Sequence, residues 1–376
     1  MQIVVIGGGM VGASAALAFA QSGHDVTVIE AGKPATSTGD WDLRISSIHQ
    51  RNVAWLNELG VWVDVRPERR FCYTDLAVEC RDGIRVNFAA SEVNAEALGA
   101  MVENNALQQS LWQLLNQHGV RCLSSTRVVN MQLPAQRVEL DTGEQLPYDL
   151  LVGADGSNSQ VAKAAGIAMR GWDYDMRCLL AIADVSEPIQ PATWEVFREA
   201  GPFALLPLGT HQACLIDYRS EQEWQQLSGD AQQVHRALYE TFAPHIGDHK
   251  VSRFASFPLR RQRALRYHAH NSVVLIGDAA HSIHPLAGQG VNIGFADVQE
   301  LLSQLNDQQP VAAALRAYER ARERENQQMM RAMDAIHFGF RSQHLVPRAL
   351  IASGLVLVDR VKPLKRALIK QAIGIK

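Results

Sequence analysis

The first thirty residues constrain the chain more than any other stretch. Gln2-Ile3-Val4-Val5-Ile6 is a β-branched apolar run of the kind that forms a buried parallel strand. Gly7-Gly8-Gly9-Met10-Val11-Gly12 follows, then the helix formers Ala13 to Ala20, then His24 to Glu30, a second strand ending in an acid. Each piece has a mechanical reason. Gly7 permits the tight turn off the strand, Gly9 lets the backbone approach a pyrophosphate, and Gly12 lets the helix pack close to the strand. The helix start offers free amides and the positive end of its dipole to phosphates. Glu30, about 20 residues further on, is placed to accept hydrogen bonds from ribose hydroxyls. In this order, strand, glycines, helix, strand and acid predict a βαβ unit that binds a dinucleotide.

A chain of 376 residues exceeds the ~250–300 at which one core stops growing, so two domains are expected. A hydrophobic share of 47% and a charged share of 20% are those of an ordinary globular protein, and a net charge of −3 argues against nucleic acid as a partner. The five cysteines are odd in number and lack C-x-x-C spacing, so reduced thiols in a cytoplasmic setting are expected. Met1 leads straight into the first strand and no apolar run is long enough to span a bilayer, so neither a secretory signal nor a membrane span is expected.

Further along, the apolar spacing from Ile45 to Leu59 predicts a helix. Leu76–Cys80 and Ile84–Phe88, split by Asp82-Gly83, predict a hairpin. Val102 to His118 reads as an amphipathic helix, Val120–Leu123 as a strand, and Arg127–Leu133 with Arg137–Leu140 as a meander. From Cys178 to about Leu265 strands prevail (Cys178–Val185, Thr193–Phe197, Phe203–Leu208, Ala213–Tyr218, Val251–Pro258), interrupted by one helix, Glu221–Phe242. That pattern predicts an antiparallel sheet in a separate α+β unit. Helix is expected again from Gly288 to Leu305 and from Val311 to about Arg341.

Two later stretches repeat the style of the opening, an apolar strand ending in Gly and Asp. Tyr148 to Gly153 runs into Ala154-Asp155-Gly156, and Asn271 to Ile276 runs into Gly277-Asp278. In an open α/β sheet ligands sit beyond the carboxyl ends of strands, where acids meet sugar hydroxyls. Ala279-Ala280-His281-Ser282-Ile283-His284-Pro285-Leu286-Ala287-Gly288-Gln289-Gly290-Val291-Asn292-Ile293-Gly294 then offers a second set of backbone donors at a helix start.

With these motifs the chain resembles the flavin-dependent aromatic hydroxylases, the para-hydroxybenzoate hydroxylase superfamily, and within it the ubiquinone-biosynthesis branch. The motifs that carry the resemblance are Asp42-Leu43-Arg44-Ile45-Ser46, Glu103-Asn104-Asn105-Ala106-Leu107-Gln108, Gly153 to Ser159 and Gly277 to Gly290. The similarity runs over nearly the whole chain and is greatest to the hydroxylases of the methoxy-methyl-polyprenyl benzoquinol. It implies a Rossmann-like FAD domain of the glutathione-reductase type with an inserted antiparallel-sheet substrate domain. The FAD domain would be discontinuous (1–75, 95–175 and 266–335), the substrate domain would comprise 76–94 and 176–265, and 336–376 would be a helical C-terminus.

The resemblance implies roles residue by residue. Gly7, Gly9, Met10 and Gly12 would hold the FAD pyrophosphate and Glu30 the adenosine ribose. Arg44, Asn104 and Gln108 would lie along the phosphate-ribityl arm, and Val128 would contact adenine through its backbone. Asp155 and Gly156 form the motif linked to both FAD and NAD(P)H. Gly277 and Asp278 would bind the ribityl chain, while Pro285, Gly288, Gln289, Gly290 and Val291 would border the isoalloxazine ring, with His281 near it. The implied chemistry is oxygen transfer from O2, activated at flavin C4a, to a polyprenylated quinol or phenol, with NAD(P)H as reductant. No metal and no fixed acid-base residue is required. His281 and His284 are open as either bases or local hydrogen-bonding residues, and Tyr174, Phe203 and Phe257 as either pocket or core.

Two positions depart from the family pattern. Ala162 and Ala296 stand where arginines are usual, which predicts altered local ion pairing and touches on NAD(P)H docking. Alternatives stay open at this point. They are a sister hydroxylase acting at another ring carbon, a simple NAD-dependent dehydrogenase, and a non-catalytic flavin-binding subunit of a ubiquinone-biosynthesis complex. From Phe340 to Lys376 eight Lys or Arg residues face one acid, Asp359, and Val361, Leu364, Leu368, Ile369 and Ala372 recur at helical spacing. This is either a helix on an anionic membrane surface, which would put the protein at the inner face of the membrane, or one packed on its own domain.

Overall fold

The computed structural model describes residues 1–374 apart from 37–38, 81–82, 283–288, 307–308 and 342–344, with the side chains of 289, 336–338, 340–341 and 345–351 also left aside. The apolar runs read from the sequence form one six-stranded sheet in the order 268–269, 273–275, 150–153, 2–6, 25–30, 121–124. The last five of these are parallel, and only 268–269 runs against its neighbour. Ile3, Val4, Val5, Val28, Leu151, Val152 and Val274 are all buried, as a sheet covered on both faces requires. The helix Met10–Gln21 covers one face with Leu17 and Phe19, which are wholly inaccessible. Because the strands are parallel, Gly7, Glu30, Gly153 and Ile276 all lie at one edge of the sheet. The opening strand sits between 150–153 and 25–30, so the chain leaves it in one direction and returns on the other side, which is a topological switch point.

A second sheet of eight strands is ordered 281–282, 249–264, 169–185, 212–220, 203–207, 192–196, 75–79, 85–89. Its backbone is the antiparallel pair Met169–Val185 and His249–Ala264. One face packs Leu179, Ala181, Phe203 and Leu215 against Val234, Leu238 and Phe242 of the helix Ala231–Ile246. The other face packs Ile182, Cys214 and Leu206 toward Met101, Tyr73, Trp41 and Ile45 of the dinucleotide-binding part. The strand His281–Ser282 joins this sheet directly after the Gly277 turn, so the two sheets are stitched together beside the second glycine motif.

Several expectations are corrected. Ile45–His49 is a strand, with helix only from Gln50 to Glu58. Ile45 and Ile48 mimic helical spacing, but Ser46 and Ser47 are also buried and the segment pairs antiparallel with Gly99–Glu103. For the same reason Val102 belongs to a strand and the helix begins at Asn104. The single helix expected over Glu221–Phe242 is two, Glu221–Leu227 and Ala231–Ile246. Gly229 breaks the run, and the Asp230 carboxylate caps the second helix by accepting from Gln232 N–H at 2.8 Å. The hairpin is present as Asp75–Glu79 and Arg85–Ala89, though Asp82 of its turn falls outside the described residues. Tyr174 and Phe203 are core, and Phe257 is 39% exposed. All five cysteines are free thiols.

The C-terminal residues form the helices Leu345–Arg360 and Lys362–Ile373. The second helix divides the apolar stripe seen in the sequence. Ile369 and Ile373 are 2% exposed and join the core that holds Tyr73, Ala90 and Leu98, whereas Val361, Leu364 and Leu368 are each 38% exposed. Lys365 ties the helix to Glu92 at 3.2 Å. Replacing Ile369→Ala removes a buried side chain from this core and is expected to cost about 2–5 kcal/mol, measurable by urea unfolding; a loss below 0.5 kcal/mol would show the helix undocked.

Candidate functional site

The three glycine-bearing strand ends meet around one side chain and one close contact. Gly7 has φ +103°, and a Cβ there would lie 2.3 Å from the Ala154 carbonyl, so the turn off the opening strand admits only glycine. A Cβ on Gly12 would fall 1.9 Å from the Gly7 carbonyl and 3.0 Å from Ala154 Cβ, which brings the helix start down onto the loop and the neighbouring strand end. Val11, from the same helix turn, packs against Gly277 and Gly294. Residues 7, 154, 277 and 294 are thereby in one cluster.

The first loop is held from outside by side chains. Glu30 accepts from Gly8 N–H at 2.7 Å with one oxygen and from Gly32 N–H at 2.8 Å with the other. The Gly8 carbonyl accepts from Gln108 Nε2 and from Trp112 Nε1, each at 2.8 Å. Gln108 thus orients the loop from the helix Asn104–Gln117, and Trp112, which the sequence reading did not single out, does the same. Gly9 caps the helix Met10–Gln21, and a Cβ there would meet no atom within 4 Å. The loop therefore opens to unfilled space beside the helix's free first-turn amides. Asn104 starts its own helix, donates its backbone N–H to Arg44 O at 3.0 Å, and its buried Oδ1 has no partner among the described residues. The Arg44 side chain is 67% exposed and reaches Asp42 and Asn105. Val128 opens the strand Val128–Gln132, two residues beyond Thr126, whose N–H donates to Glu30 O.

At the second strand end the Asp155 carboxylate accepts from Ser159 Oγ at 2.5 Å and from the N–H groups of Gln160 and Val161. It caps the short helix Gln160–Ala164, and Gly156 (φ +77°) completes the turn. Ala162 is buried in that helix, where its N–H donates to Ser159 Oγ.

At the third strand end Gly277 N–H donates to Asp297 Oδ2 at 3.0 Å, and the same oxygen lies 2.5 Å from His281 Nε2. Asp297 Oδ1 accepts from Arg322 Nε at 2.8 Å, and Arg322 also donates to Asn326. Asp297, His281, Arg322 and Asn326 are all buried. The partner of Asp297 therefore comes from Arg322 on the next helix, Val311–Arg341, and the neighbouring Ala296 has no part in the pairing. His281 faces Asp297 rather than open space, the geometry of a local hydrogen-bonding residue. Asp278 is exposed as a residue, yet burial of its carboxyl raises its pKa, with His281 opposing the shift and Asp297 adding to it. Gly290 and Val291 lie in the first turn of the helix Gln289–Asn306. Pro285, Gly288 and His284 are outside the described residues, as is the side chain of Gln289. Asn292, unremarked in the sequence, pins this helix to the Arg44 segment. It donates to Ser47 O at 2.7 Å and accepts from His49 N–H at 3.1 Å and Asn52 Nδ2 at 3.0 Å.

These residues fit FAD. Helix-start amides, a glycine opening onto space and an acid beside a strand end suit the adenosine-pyrophosphate half, and the buried Asn104 oxygen suits the phosphate-ribityl arm. Asp278 and the second helix start suit the ribityl and ring half. Burial disfavours ionisation of Asp297, but His281 and Arg322 outweigh it and hold the carboxyl down at about 2. With the folded pKa below the unfolded one, this group's contribution to stability is complete above the unfolded value of 3.8 and is lost as pH falls toward 2. Asp297→Asn would remove the buried carboxylate facing Arg322 and leave it only the exposed Glu325 as an ionic partner, with an expected loss of about 3–5 kcal/mol at pH 7 by chemical denaturation and no loss below pH 2.

The FAD binding domain family matches residues 1–333. The chain is 37% identical over 387 aligned residues to the 3-demethoxyubiquinol 3-hydroxylase of Escherichia coli (strain K12), covering 100% of this chain and 98% of that one. It is 32% identical to the ubiquinone hydroxylase UbiL of Rhodospirillum rubrum, over 99% of this chain and 89% of that protein. In fold it is similar to the p-nitrophenol 4-monooxygenase PnpA of Pseudomonas putida DLL-E4, with a TM-score of 0.82 at 18% identity over 100% and 98% of the two chains. With its loops, acids and helix starts gathered at one sheet edge, the chain belongs to the FAD binding domain family, in the branch of flavin-dependent monooxygenases that contains the ubiquinone hydroxylases.

Proposed function

We propose that this protein is an FAD-dependent monooxygenase that hydroxylates the ring of a polyprenylated benzoquinol or phenol in ubiquinone biosynthesis, using NAD(P)H and O2. The observation that carries the reading is the full-length similarity to two ubiquinone hydroxylases, joined to the convergence of the Gly7, Ala154 and Gly277 strand ends around Val11. The simple dehydrogenase reading gives no account of the second and third strand ends.

In this reading residues 1–75, 95–175 and 266–335 form the FAD unit, with 76–94 and 176–265 as the substrate unit. The amides of Met10 to Gly12 hold the pyrophosphate, and Glu30, already anchored by Gly8 and Gly32, keeps lone pairs for the ribose. Asn104 Oδ1 and Arg44 serve the ribityl-phosphate arm, and Asp278 the ribityl hydroxyls. The start of the helix Gln289–Asn306 stabilises negative charge at the ring. Bound FAD supplies the activation of O2 and the transfer of one oxygen atom to an electron-rich ring. The chain's own part is to hold that ring against the cofactor and exclude water. Deletion of the gene is expected to deplete ubiquinone and accumulate an under-hydroxylated quinone identifiable by mass spectrometry. An unchanged quinone profile would defeat the assignment, as would purified protein without a flavin spectrum.

The C-terminal helix bears on where the substrate is met. No helix of the described residues is long and apolar enough to cross a membrane. Leu357 near the end of the helix Leu345–Arg360, Val361 at the junction, and Leu364 and Leu368 on the helix Lys362–Ile373 are nonetheless exposed apolar residues among Arg360, Lys362, Arg366 and Lys370, while Ile369 and Ile373 anchor the second helix to the protein. This reading makes the exposed residues a peripheral contact with an anionic bilayer, the phase in which a polyprenyl chain dissolves. Replacing Val361, Leu364 and Leu368 together by Ser spares the buried anchors. The triple variant is expected to lose co-sedimentation with anionic liposomes at least tenfold; equal binding by both proteins would sink the contact.

A further inference from the structure

The substrate side of the molecule holds a buried acid that the cofactor site does not use. Glu195 lies in the strand Ala192–Val196, in register with Ala204, which is in register with Ile216 and, through it, Leu180. Paired residues share a face of the sheet, so Glu195 belongs to the face that looks toward the FAD-binding part and not to the face closed by the helix Ala231–Ile246. Leu180, Leu206, Ile182, Cys214 and Ile216 of this face pack toward Trp41, Leu43, Ile45 and Met101, and its edge strand His281–Ser282 leads out of the Gly277 turn. A ring lying between this sheet and the cofactor would rest on this face.

Glu195 is 8% exposed. Among the described residues its carboxyl has no hydrogen-bond or salt-bridge partner, in contrast to Asp217 on the opposite face, which is held by Arg198 and Arg219. An acid buried without a partner costs stability, and burial alone pushes its pKa up to about 8. The groups that surround it cannot take its proton. Tyr218 and Cys178, two and three strands away on the same face, are both pushed well above their usual values. Cys214, which feels Asp42 from the opposing segment, is pushed up to about 12. At the sheet edge Lys365 is engaged by Glu92.

We propose that Glu195 binds and deprotonates a ring hydroxyl of the phenolic substrate, as the polar anchor of an otherwise apolar pocket. The hydroxyl O–H bond breaks, a carboxyl O–H bond forms, and the electron pair stays on the phenolate oxygen, where it enriches the ring for attack by an electrophilic oxygen. The proton leaves Glu195 to solvent after product departs. This rests on the aromatic-hydroxylase reading above. It accounts for an acid retained at a cost on this face, since a ring hydroxyl is the partner that the described residues do not supply.

The test uses the FAD-loaded full chain, its Glu195→Gln and Glu195→Asp variants, and a short-chain prenylphenol as probe. Binding is read by perturbation of the flavin absorbance, and turnover by NAD(P)H oxidation from pH 6 to 9. The wild type is expected to show a limb in kcat/KM that rises through about pH 8. Glu195→Gln should lose that limb and at least about 100-fold in kcat/KM with full flavin content, and Glu195→Asp should restore the limb in part. Removing a buried charge should also leave Glu195→Gln more thermostable than the wild type above pH 8 and equal to it below about pH 4.5, the unfolded value. A Glu195→Gln protein with wild-type probe affinity and an unchanged pH limb overturns the role of Glu195 alone. A wild type that neither binds the probe nor consumes NAD(P)H with it overturns the hydroxylase reading and this role together.

Discussion

The close approach of Gly12 to the Gly7 carbonyl is the constraint on which the rest of the site depends. It sets the helix Met10–Gln21 low over the sheet edge, and only from that height does Val11 reach Gly277 and Gly294. A side chain of any size at position 12 would lift the helix and separate strand ends that are almost three hundred residues apart in sequence. The hydrogen bonds around Gly8 are secondary to this contact. Glu30, Gln108 and Trp112 orient a peptide whose position the glycine packing has already determined.

Buried polar groups divide the molecule into parts that are satisfied and one that is not. Asp297 is matched by His281, Arg322 and the Gly277 amide, so the third strand end is rigid where the cofactor's reactive half would lie. Asp155 and Asn292 are likewise fully engaged in holding backbone. Against that background the Glu195 carboxyl and the Asn104 oxygen stand apart, since among the described residues neither has a partner. Satisfied networks specify a shape; unsatisfied buried groups mark where another molecule completes it.

The helical C-terminus shows how one amphipathic pattern can serve two purposes. Ile369 and Ile373 fill the core that holds Ala90 and Leu98, while Leu364 and Leu368 on the same helix, and Val361 at its N-cap, are exposed. Packing on the protein and contact with a lipid surface are thus compatible. The stripe read from the sequence is wide enough for both.

From the sequence alone came the βαβ opening, the three Gly-acid strand ends, the antiparallel region after Cys178 and the family, because each rests on local periodicity and on turn chemistry carried by neighbouring residues. What the sequence could not decide was whatever depends on pairing at a distance. Ile45–His49 has helical spacing yet is a strand, because Gly99–Glu103 lies beside it. Asp155, Gln108 and His281 carry the right residue types for ligand contacts, but their side chains turn to the protein's own amides, carbonyl and carboxylate. Glu195 carries no motif at all. Its burial, its lack of a partner among the described residues and the face it occupies are products of strand register across five chain segments, which only the tertiary structure assembles.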